Sequence, residues 1–474
     1  MSEAAAFSFR APSRSMGLKL LLVCFMALLM SIPALLVFGL LSDRTGRAET
    51  VARDVGAMVG GPQTFLGPVL AIPYTTPPPA AGQPAEKGVF VIFPATAYAT
   101  ADMTSDVRKR GLFKVPVWTA DLTFESRFDL GPSVARAPAG AALNWSRAEI
   151  LLGASDARGA QADITLTAAG TPLTLAPAQQ ISEVALSGGD AGPRSRGEEQ
   201  LRFFGAAADM ASPDAKFEVT AKARFSGAQR LAMLAFGKAT AFGVRGNTKG
   251  LTIEPSFDGG FLPRTRKVSG EDFSAAWNVP FIARGVPAEG GPDTLTRLGA
   301  TALGVSLVEP ANPYQAVSRS LKYAPMFIGI VFLTFALFEA TRRTRVHPAQ
   351  YVLIGLAQLV FYLLLLSIAE RTSFTVGFVI AAVATVGLIS AYAGWAFDSR
   401  RQGVAALGIF TALYTLIYVL MRLEDFALLV GSITCFIALA LAMWFTRKID
   451  WYGGGAAVPE PATPKRATRS KDAV

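Results

Sequence analysis

Six stretches of this chain are long enough and free enough of charge to cross a bilayer, and nothing else in the sequence limits its fold so strongly. They run over Leu20–Ser42, Leu321–Phe338, Tyr351–Ala369, Ser373–Phe397, Gly403–Met421 and Phe426–Thr446. A helix needs about 20 predominantly apolar residues to span the hydrocarbon core. One stretch is N-terminal and five fill the last third, while nothing comparable occurs between Asp43 and Ser320. The pattern predicts a membrane α-helical protein with six transmembrane helices and one large inserted domain. The first stretch reads as an uncleaved anchor. Its apolar run outlasts the roughly 7–15-residue core of a signal peptide, and Asp43-Arg44 follows it without a small-x-small cleavage site.

Charge sets the orientation. Arg10, Arg14 and Lys19 precede the first span, Arg342, Arg343 and Arg345 follow the second, and Arg400-Arg401 follow the fourth. Arg447, Lys448, Lys465, Arg466, Arg469 and Lys471 follow the last, whereas the opposite short turns hold only Arg371 and Arg422. The excess of Lys and Arg on one side predicts cytoplasmic N- and C-termini and export of the insertion. The organisation expected is a tail over 1–19, a span over 20–42, an exported domain over 43–320, a five-helix bundle over 321–446 and a mostly disordered cytoplasmic tail over 447–474. The net charge of +10 does not point to nucleic acid, because residues 43–320 hold 28 Lys and Arg against 26 Asp and Glu. The excess sits in the membrane half, where topology explains it. The expected partners are the lipid bilayer and periplasmic or envelope proteins whose identity the sequence does not give.

The exported domain reads as all-β and sandwich-like. Gly88–Pro94, Ala120–Leu130, Ala162–Ala168 and Lys216–Gly227 alternate or are rich in β-branched and aromatic residues, with Gly, Pro, Asp and Asn between them. Ser226–Phe236 is the one short stretch with a helical pattern. Pro77–Pro84 and Ala191–Gln200 read as exposed loops, and the segment from Gly453 as a disordered tail. The two cysteines, Cys24 and Cys435, fall within spans, so no disulfide staples this domain.

Few catalytic chemistries remain open. The single histidine, His347, lies in the basic loop "TRRTRVHPAQ" and reads as solvated. The exported domain therefore has neither imidazole nor thiol, which excludes Ser-His-Asp and Cys-His nucleophiles and His/Cys zinc sites. No P-loop, dinucleotide fingerprint or G-x-S-x-G elbow is present, and no cofactor is expected. Glu198-Glu199 and Glu271-Asp272 leave a carboxylate-only hydrolase as a formal alternative, but neighbours on a strand point to opposite faces. Transport is the stronger alternative. Ion-coupled carriers place ionisable groups inside their spans, yet these six cores contain no Asp, Glu or His. Lys322 and Glu339 sit near span ends, within reach of water by this reading. Gln358 and Tyr362, four apart, read as interhelical hydrogen-bonding groups.

Several blocks carry a family resemblance. In the membrane half they are "SRSLKYAPMFIGIVFLTFALFE", "RVHPAQYVLIGLAQLVFYLLLLSIAE", "LEDFALLVGS" and "TRKIDWY". In the insertion they are "GGPQTFLGPVLAIPY", "RKRGLFKVPVW", "SDARG" and "PSFDGGFLP". Taken in order, they make the chain similar to the CreD family, inner-membrane proteins of Gram-negative bacteria often called cell envelope integrity proteins. The resemblance implies a periplasmic domain and a part in envelope stress, and it supplies no catalytic residue or cofactor. "SDARG" itself reads as a tight turn in which Asp156 pairs with Arg158.

The charges of "MRLEDF" interrupt the apolar tail of the chain. The lengths on either side put Arg422, Glu424 and Asp425 at a wet turn between two spans. Glu370 and Arg371 mark the other outer turn, and Arg319 and Lys322 close the insertion. The expectation is that Glu424 and Asp425 help dock the exported domain through these cations; a solvated turn with local pairing of Arg422 is the simpler reading.

Overall fold

The computed structural model describes residues 16–78, 85–111, 113–187, 199–249, 253–308, 313–342, 346–422 and 427–447. The two loops expected at Pro77–Pro84 and Ala191–Gln200 fall largely outside them, as does the tail from Gly453. The chain divides into two compact units, one of Met1–Thr45 with Ala311–Val474, the other Gly46–Pro310.

The first unit is helical. Four of its described helices are long and apolar enough to cross a membrane, and a bent pair raises the number to five if it counts as one span. The four are Leu21–Met58, Pro348–Ala369, Phe374–Ala396 and Arg400–Arg422; the pair is Tyr314–Lys322 with Ala324–Glu339, bent by 56°. Of the expected span Phe426–Thr446, the described apolar part is the shorter run Leu429–Leu441. Proline explains both interruptions of helix geometry. Pro325 has no N–H for a bond to residue 321 and its ring presses on that carbonyl, so the chain turns at Tyr323. Pro33 acts likewise on Leu29, and the N-terminal helix is registered as Met16–Leu29 and Ser31–Met58 with Met30 between.

Aromatic rings fill the interior of this unit. Phe335 stacks on Phe410 with centroids 6.1 Å apart and meets Tyr351 edge-on, while Phe361 meets Tyr414 and Phe378 edge-on at 4.8 and 5.5 Å. Small residues bring helix backbones together. A Cβ on Gly403 would lie 3.3 Å from the Gly394 Cα, and one on Gly377 would lie 2.8 Å from the Ala369 nitrogen. Glu339 corrects the expectation that it reaches water. It is buried, and its carboxylate accepts from the Val346 N–H at 3.0 Å and the Tyr351 hydroxyl at 3.2 Å. His347 is exposed, but it does more than sit in solvent. Its Nδ1 accepts from the Ala349 N–H and it forms a capping box with Gln350, starting the helix Pro348–Ala369.

The second unit is β-rich, and its described residues form two sheets, one of 11 strands and one of 8. The larger is centred on Gln63–Thr75, which pairs with Glu149–Ala154 on one side and, in parallel, with Arg230–Met233 on the other. The smaller is dominated by the hairpin Thr96–Arg110 and Phe113–Asp129, flanked by Lys216–Ala228 and Ala239–Asn247. Inner-face rings from both sheets meet in one core: Phe65 touches Phe225, Phe124 touches Phe236, and Phe257 touches Phe273 and Trp277. The outer face of the smaller sheet carries a ladder of ions. Asp102 lies directly opposite Asp121, a like-charge pair that costs stability by itself. Arg245 and Arg224 from the flanking strands answer one each, at 3.0 and 3.4 Å.

Two local expectations change. Ser226–Phe236 is not helical; it is the end of one strand and the strand Arg230–Met233. Residues Leu231 to Phe236 are all fully buried, and a run buried on every side loses the one-sided periodicity that separates strand from helix. The first helix also does not stop near Ser42 but continues to Met58. Val51, Ala52 and Val55 form an apolar stripe against Val115, Val117 and Ala228, and Asp54 meets Arg110 at 3.2 Å. At the far end of the larger sheet Gly259 adopts φ +126°, and a Cβ there would meet the Ala302 carbonyl oxygen at 2.0 Å. Only glycine serves both needs.

Arg284 breaks the rule that buried charges are paired. It is 3% exposed, its guanidinium lies 4.0 Å over the Phe93 ring, and none of its three side-chain nitrogens has a hydrogen-bond partner among the described residues. Burial lowers its pKa from 12.5 to about 10. The penalty is complete below pH 10 and lifts only as pH climbs from there toward 12.5. That shift corresponds to roughly 3 kcal/mol, offset in part by the cation–π contact. Arg284→Met is therefore expected to raise the thermal midpoint at neutral pH, by about 1–2 kcal/mol of stability. A lower midpoint would mean that the cation has a partner in solution.

Candidate functional site

Polar residues at the ends of several of its helices form the candidate site of the helical unit. Glu370 follows the last residue of the helix Pro348–Ala369, and its backbone N–H closes that helix onto Leu366. Its side chain is only 8% exposed. Tyr314 donates its hydroxyl proton to one oxygen at 2.9 Å, and Arg44 stands 3.9 Å from the other. Glu370 thus joins three segments far apart in sequence: the first helix, the short helix Pro313–Lys322 and the turn before Phe374. Neither Arg44 nor Tyr314 stands among the site residues that the sequence suggests. Arg44 carried a usable signal, since it directly follows the first apolar run.

Arg422 ends the helix Arg400–Arg422, and its guanidinium reaches across to the neighbouring helix. Nη2 donates to the Thr375 hydroxyl at 2.8 Å, with the rings of Tyr418 and Phe374 at 5.6 and 5.9 Å. Thr375 and Tyr418 are themselves within 3.4 Å. Ser373 accepts from the Val376 N–H and starts the helix on which this contact rests. Arg422 and Thr375 therefore tie the end of the helix Arg400–Arg422 to the start of the helix Phe374–Ala396. Arg371 and Lys322 are exposed, Arg319 is half-buried, and Glu424 and Asp425 lie outside the described residues.

In the β-rich unit, two of the blocks quoted above meet. "SDARG" is a tight turn: Asp156 accepts from the Arg158 N–H at 2.9 Å and takes its guanidinium in two contacts of 3.0 and 2.6 Å. Gln63 of "GGPQ" is buried against it. Its amide donates to the carbonyls of Gly60 and Asp156 at 2.8 and 2.9 Å, and its oxygen accepts from the Asp156 N–H at 3.2 Å. Gly60, at φ +96°, would place a Cβ 2.7 Å from the Gly159 Cα. Ser226 donates toward the carbonyls of Val59 and Gly159, tying the helix end to the smaller sheet. Each of these groups serves another part of the chain, so the knot is structural. The acid pairs do not converge. Glu198 lies outside the described residues, Glu199 accepts from the Ser155 hydroxyl at 3.0 Å, and Glu271 and Asp272 are exposed. Among the described residues no three of His, Cys, Asp and Glu gather as metal ligands would.

Two predictions follow from these contacts. Glu370→Gln and Tyr314→Phe should each lower the thermal midpoint of the detergent-solubilised protein, by about 1–3 kcal/mol for a buried partner left unmatched; unchanged midpoints in both would deny the tie. At Asp156, burial pushes the carboxyl up, but the Arg158 hydrogen bonds outweigh it and hold the pKa below 3.8. The contribution to stability is present above the unfolded value and disappears as pH falls through the lower folded value. Acid titration of unfolding should therefore show Asp156→Asn losing part of the wild-type slope below about pH 4, and an identical slope in both proteins would count against the pairing.

Comparison with known proteins bears on the whole chain. A solved M1 zinc metallopeptidase mutant from Deinococcus radiodurans, bound to a peptide substrate, aligns over 45% of this chain and 42% of its own. Its TM-score is 0.21 at 8% sequence identity, too low to relate the folds. The inner membrane protein CreD of Escherichia coli (strain K12) is 30% identical over 437 residues, covering 90% of this chain and 91% of that one. The family model described as inner membrane protein CreD matches residues 15–452. With its candidate membrane helices, its inserted two-sheet unit and a match over 90% of its length, the chain belongs to the CreD family of inner membrane proteins.

Proposed function

We propose that this chain is a non-catalytic envelope protein of the inner membrane, acting in envelope integrity and stress response by interaction through its β-rich unit. In this reading six spans hold both termini in the cytoplasm and export the residues between the first and second. The distribution of Lys and Arg supports that orientation. The observation that carries the reading is the interior of the helical unit. Phe327, Phe332, Phe335, Phe361 and Phe410 fill it almost without exposure, as suits an anchor. The β-rich unit has no histidine or cysteine.

A second reading, passage of a small or amphiphilic solute, has its own observation. The side-chain oxygens of Gln358, Ser390 and Gln402 are buried among the helices without a hydrogen-bond partner among the described residues. Buried polar groups in a membrane are costly and often mark a path.

Two measurements test the proposal. In a variant with Cys24 and Cys435 replaced by alanine, a cysteine at Thr165 should react with an impermeant thiol reagent in intact spheroplasts. One at Arg401 should react only after the membrane is breached, and the reverse pattern would invert the topology. Photocrosslinkers on the exposed face of the β-rich unit should trap specific envelope proteins. If none is trapped, and the protein instead confers solute-dependent flux on liposomes, the second reading replaces the first.

A further inference from the structure

Two turns at one end of the β-rich unit put large apolar side chains into water. The strand Asp272–Val279 pairs antiparallel with Thr265–Ser269, with Ala276 opposite Thr265. Extending that register brings Leu262, on the turn before Thr265, level with the end of Asp272–Val279, where the short helix Phe281–Arg284 begins. Leu262 is 87% exposed, Ile282 92% and Phe281 46%. Single exposed apolar residues are ordinary on any surface. Three large ones on adjoining turns form a patch, and patches mark interaction sites. Both turns hold their shape. Trp277 donates its indole N–H to the Phe261 carbonyl at 3.0 Å. The N–H groups of Ala283 and Arg284 close onto the Pro280 carbonyl, and Gly285, at φ +68°, ends the helix. Arg284 of the same helix is buried over the Phe93 ring. The apolar side chains therefore project from fixed backbone, which keeps the entropy lost on binding small.

The charge around the patch has one sign. The segments Gly260–Lys267 and Trp277–Ala288 contain Arg264, Arg266, Lys267 and Arg284, and no Asp or Glu. Arg264, Arg266 and Lys267 are exposed. Arg297 is exposed too, and its Nη2 lies 3.5 Å from the Gly285 carbonyl at the end of the short helix. Asp293, one turn before Arg297, is the acid on the adjoining helix. A cationic surround selects an acidic partner. The size of the patch narrows the choice further. Three such side chains cover at most roughly 600 Å², short of the about 800 Å² that each side of a standard protein interface contributes. A contact of that size works as an anchor, in which a few large side chains enter one pocket and charges around it fix the fit. Position favours a protein over the bilayer. Val279 is level with Ser126 across the smaller sheet, and the helix Ser31–Met58 packs nine residues away, at Val117. Nine residues of strand span about 30 Å, so the patch lies far from the end of the unit that meets this helix.

We propose that Leu262, Phe281 and Ile282 anchor a protein partner, entering an apolar pocket whose rim carries Asp and Glu that pair with Arg264 and Arg297. The inference rests on the reading of this chain as an interaction protein, and it names the surface used and the chemistry of the partner.

The test places the photocrosslinker p-benzoylphenylalanine at Ile282, Leu262 or Thr165, one at a time, in the full chain in living cells. Ile282 and Leu262 should give the same protein adduct, and Thr165, exposed on another strand of the smaller sheet, should not give it. Arg264→Glu combined with Arg297→Glu should cut the Ile282 adduct by about tenfold, with the thermal midpoint of the purified chain unchanged. Mass spectrometry of the adduct locates the partner's contact, and Lys in place of the acids beside it should restore crosslinking to the doubly reversed chain. Adducts elsewhere on the β-rich unit with none at Ile282 or Leu262 overturn this inference and leave the interaction reading standing. No adduct at any exposed position of the unit removes both. A phospholipid adduct at Ile282, an adduct indifferent to the charge reversals, or a charge exchange that restores nothing also overturns the inference.

Discussion

Backbone hydrogen bonding without water is the constraint on which the helical unit depends. In hydrocarbon every N–H and C=O must be satisfied within the protein, and an apolar helix does so within one segment. The consequences appear wherever the ladder is interrupted. Pro325 and Pro33 each remove one donor; beside Pro325 the helix pair is bent by 56°, and near Pro33 the helix ladder is interrupted at Met30 within the run Leu21–Met58. At helix ends the chain supplies substitutes: His347 and Gln350 cap one helix, Ser373 another, and Glu339 receives the N–H of Val346. Polar side chains in this unit are mostly repairs to the backbone.

The β-rich unit solves the same problem through sheets, and its difficulty is closeness. Two large sheets share one core of Phe, Leu and Ala, so backbones must approach at particular points. Gly60 and Gly259 mark two of them, and Gln63 stitches a third by bonding to two carbonyls and one N–H. Exposed ion pairs such as Arg127–Glu218 decorate the outer face and contribute little individually. Among the described residues several buried groups stand apart from this economy, among them Arg284, whose nitrogens have no hydrogen-bond partner, Glu289, with one oxygen unmatched, and the side-chain oxygens of Gln358, Ser390 and Gln402. They mark where structure alone does not account for the residue.

Much of the architecture was legible because its signals are one-dimensional. Apolar length marks a helix that can cross a membrane, and Pro325 could have been read as the kink it makes. Lys216–Ala228 was legible from strict alternation, and the Asp156–Arg158 turn from two residues at turn spacing. Ser226–Phe236 failed because burial on all sides erases periodicity. The helix extending to Met58 failed because its apolar stripe of Val51, Ala52 and Val55 sits among charges and has meaning only against Val115 and Val117. At the candidate site, the acidic corner drew notice as a local anomaly. Glu370, by contrast, gained its significance from Arg44 and Tyr314, each remote in sequence.

By itself, the sequence determined which segments are long and apolar, beside which of them Lys and Arg gather, and that the inserted unit contains no imidazole or thiol. These follow from composition along a line, where length and charge act residue by residue. Only the tertiary structure decided that Glu339 and Glu370 are buried and satisfied, that Arg422 binds Thr375, and that Glu289 is buried with one oxygen unmatched among the described residues. Such facts depend on which distant segments meet, and hydrogen bonding and desolvation act across those contacts rather than along the chain.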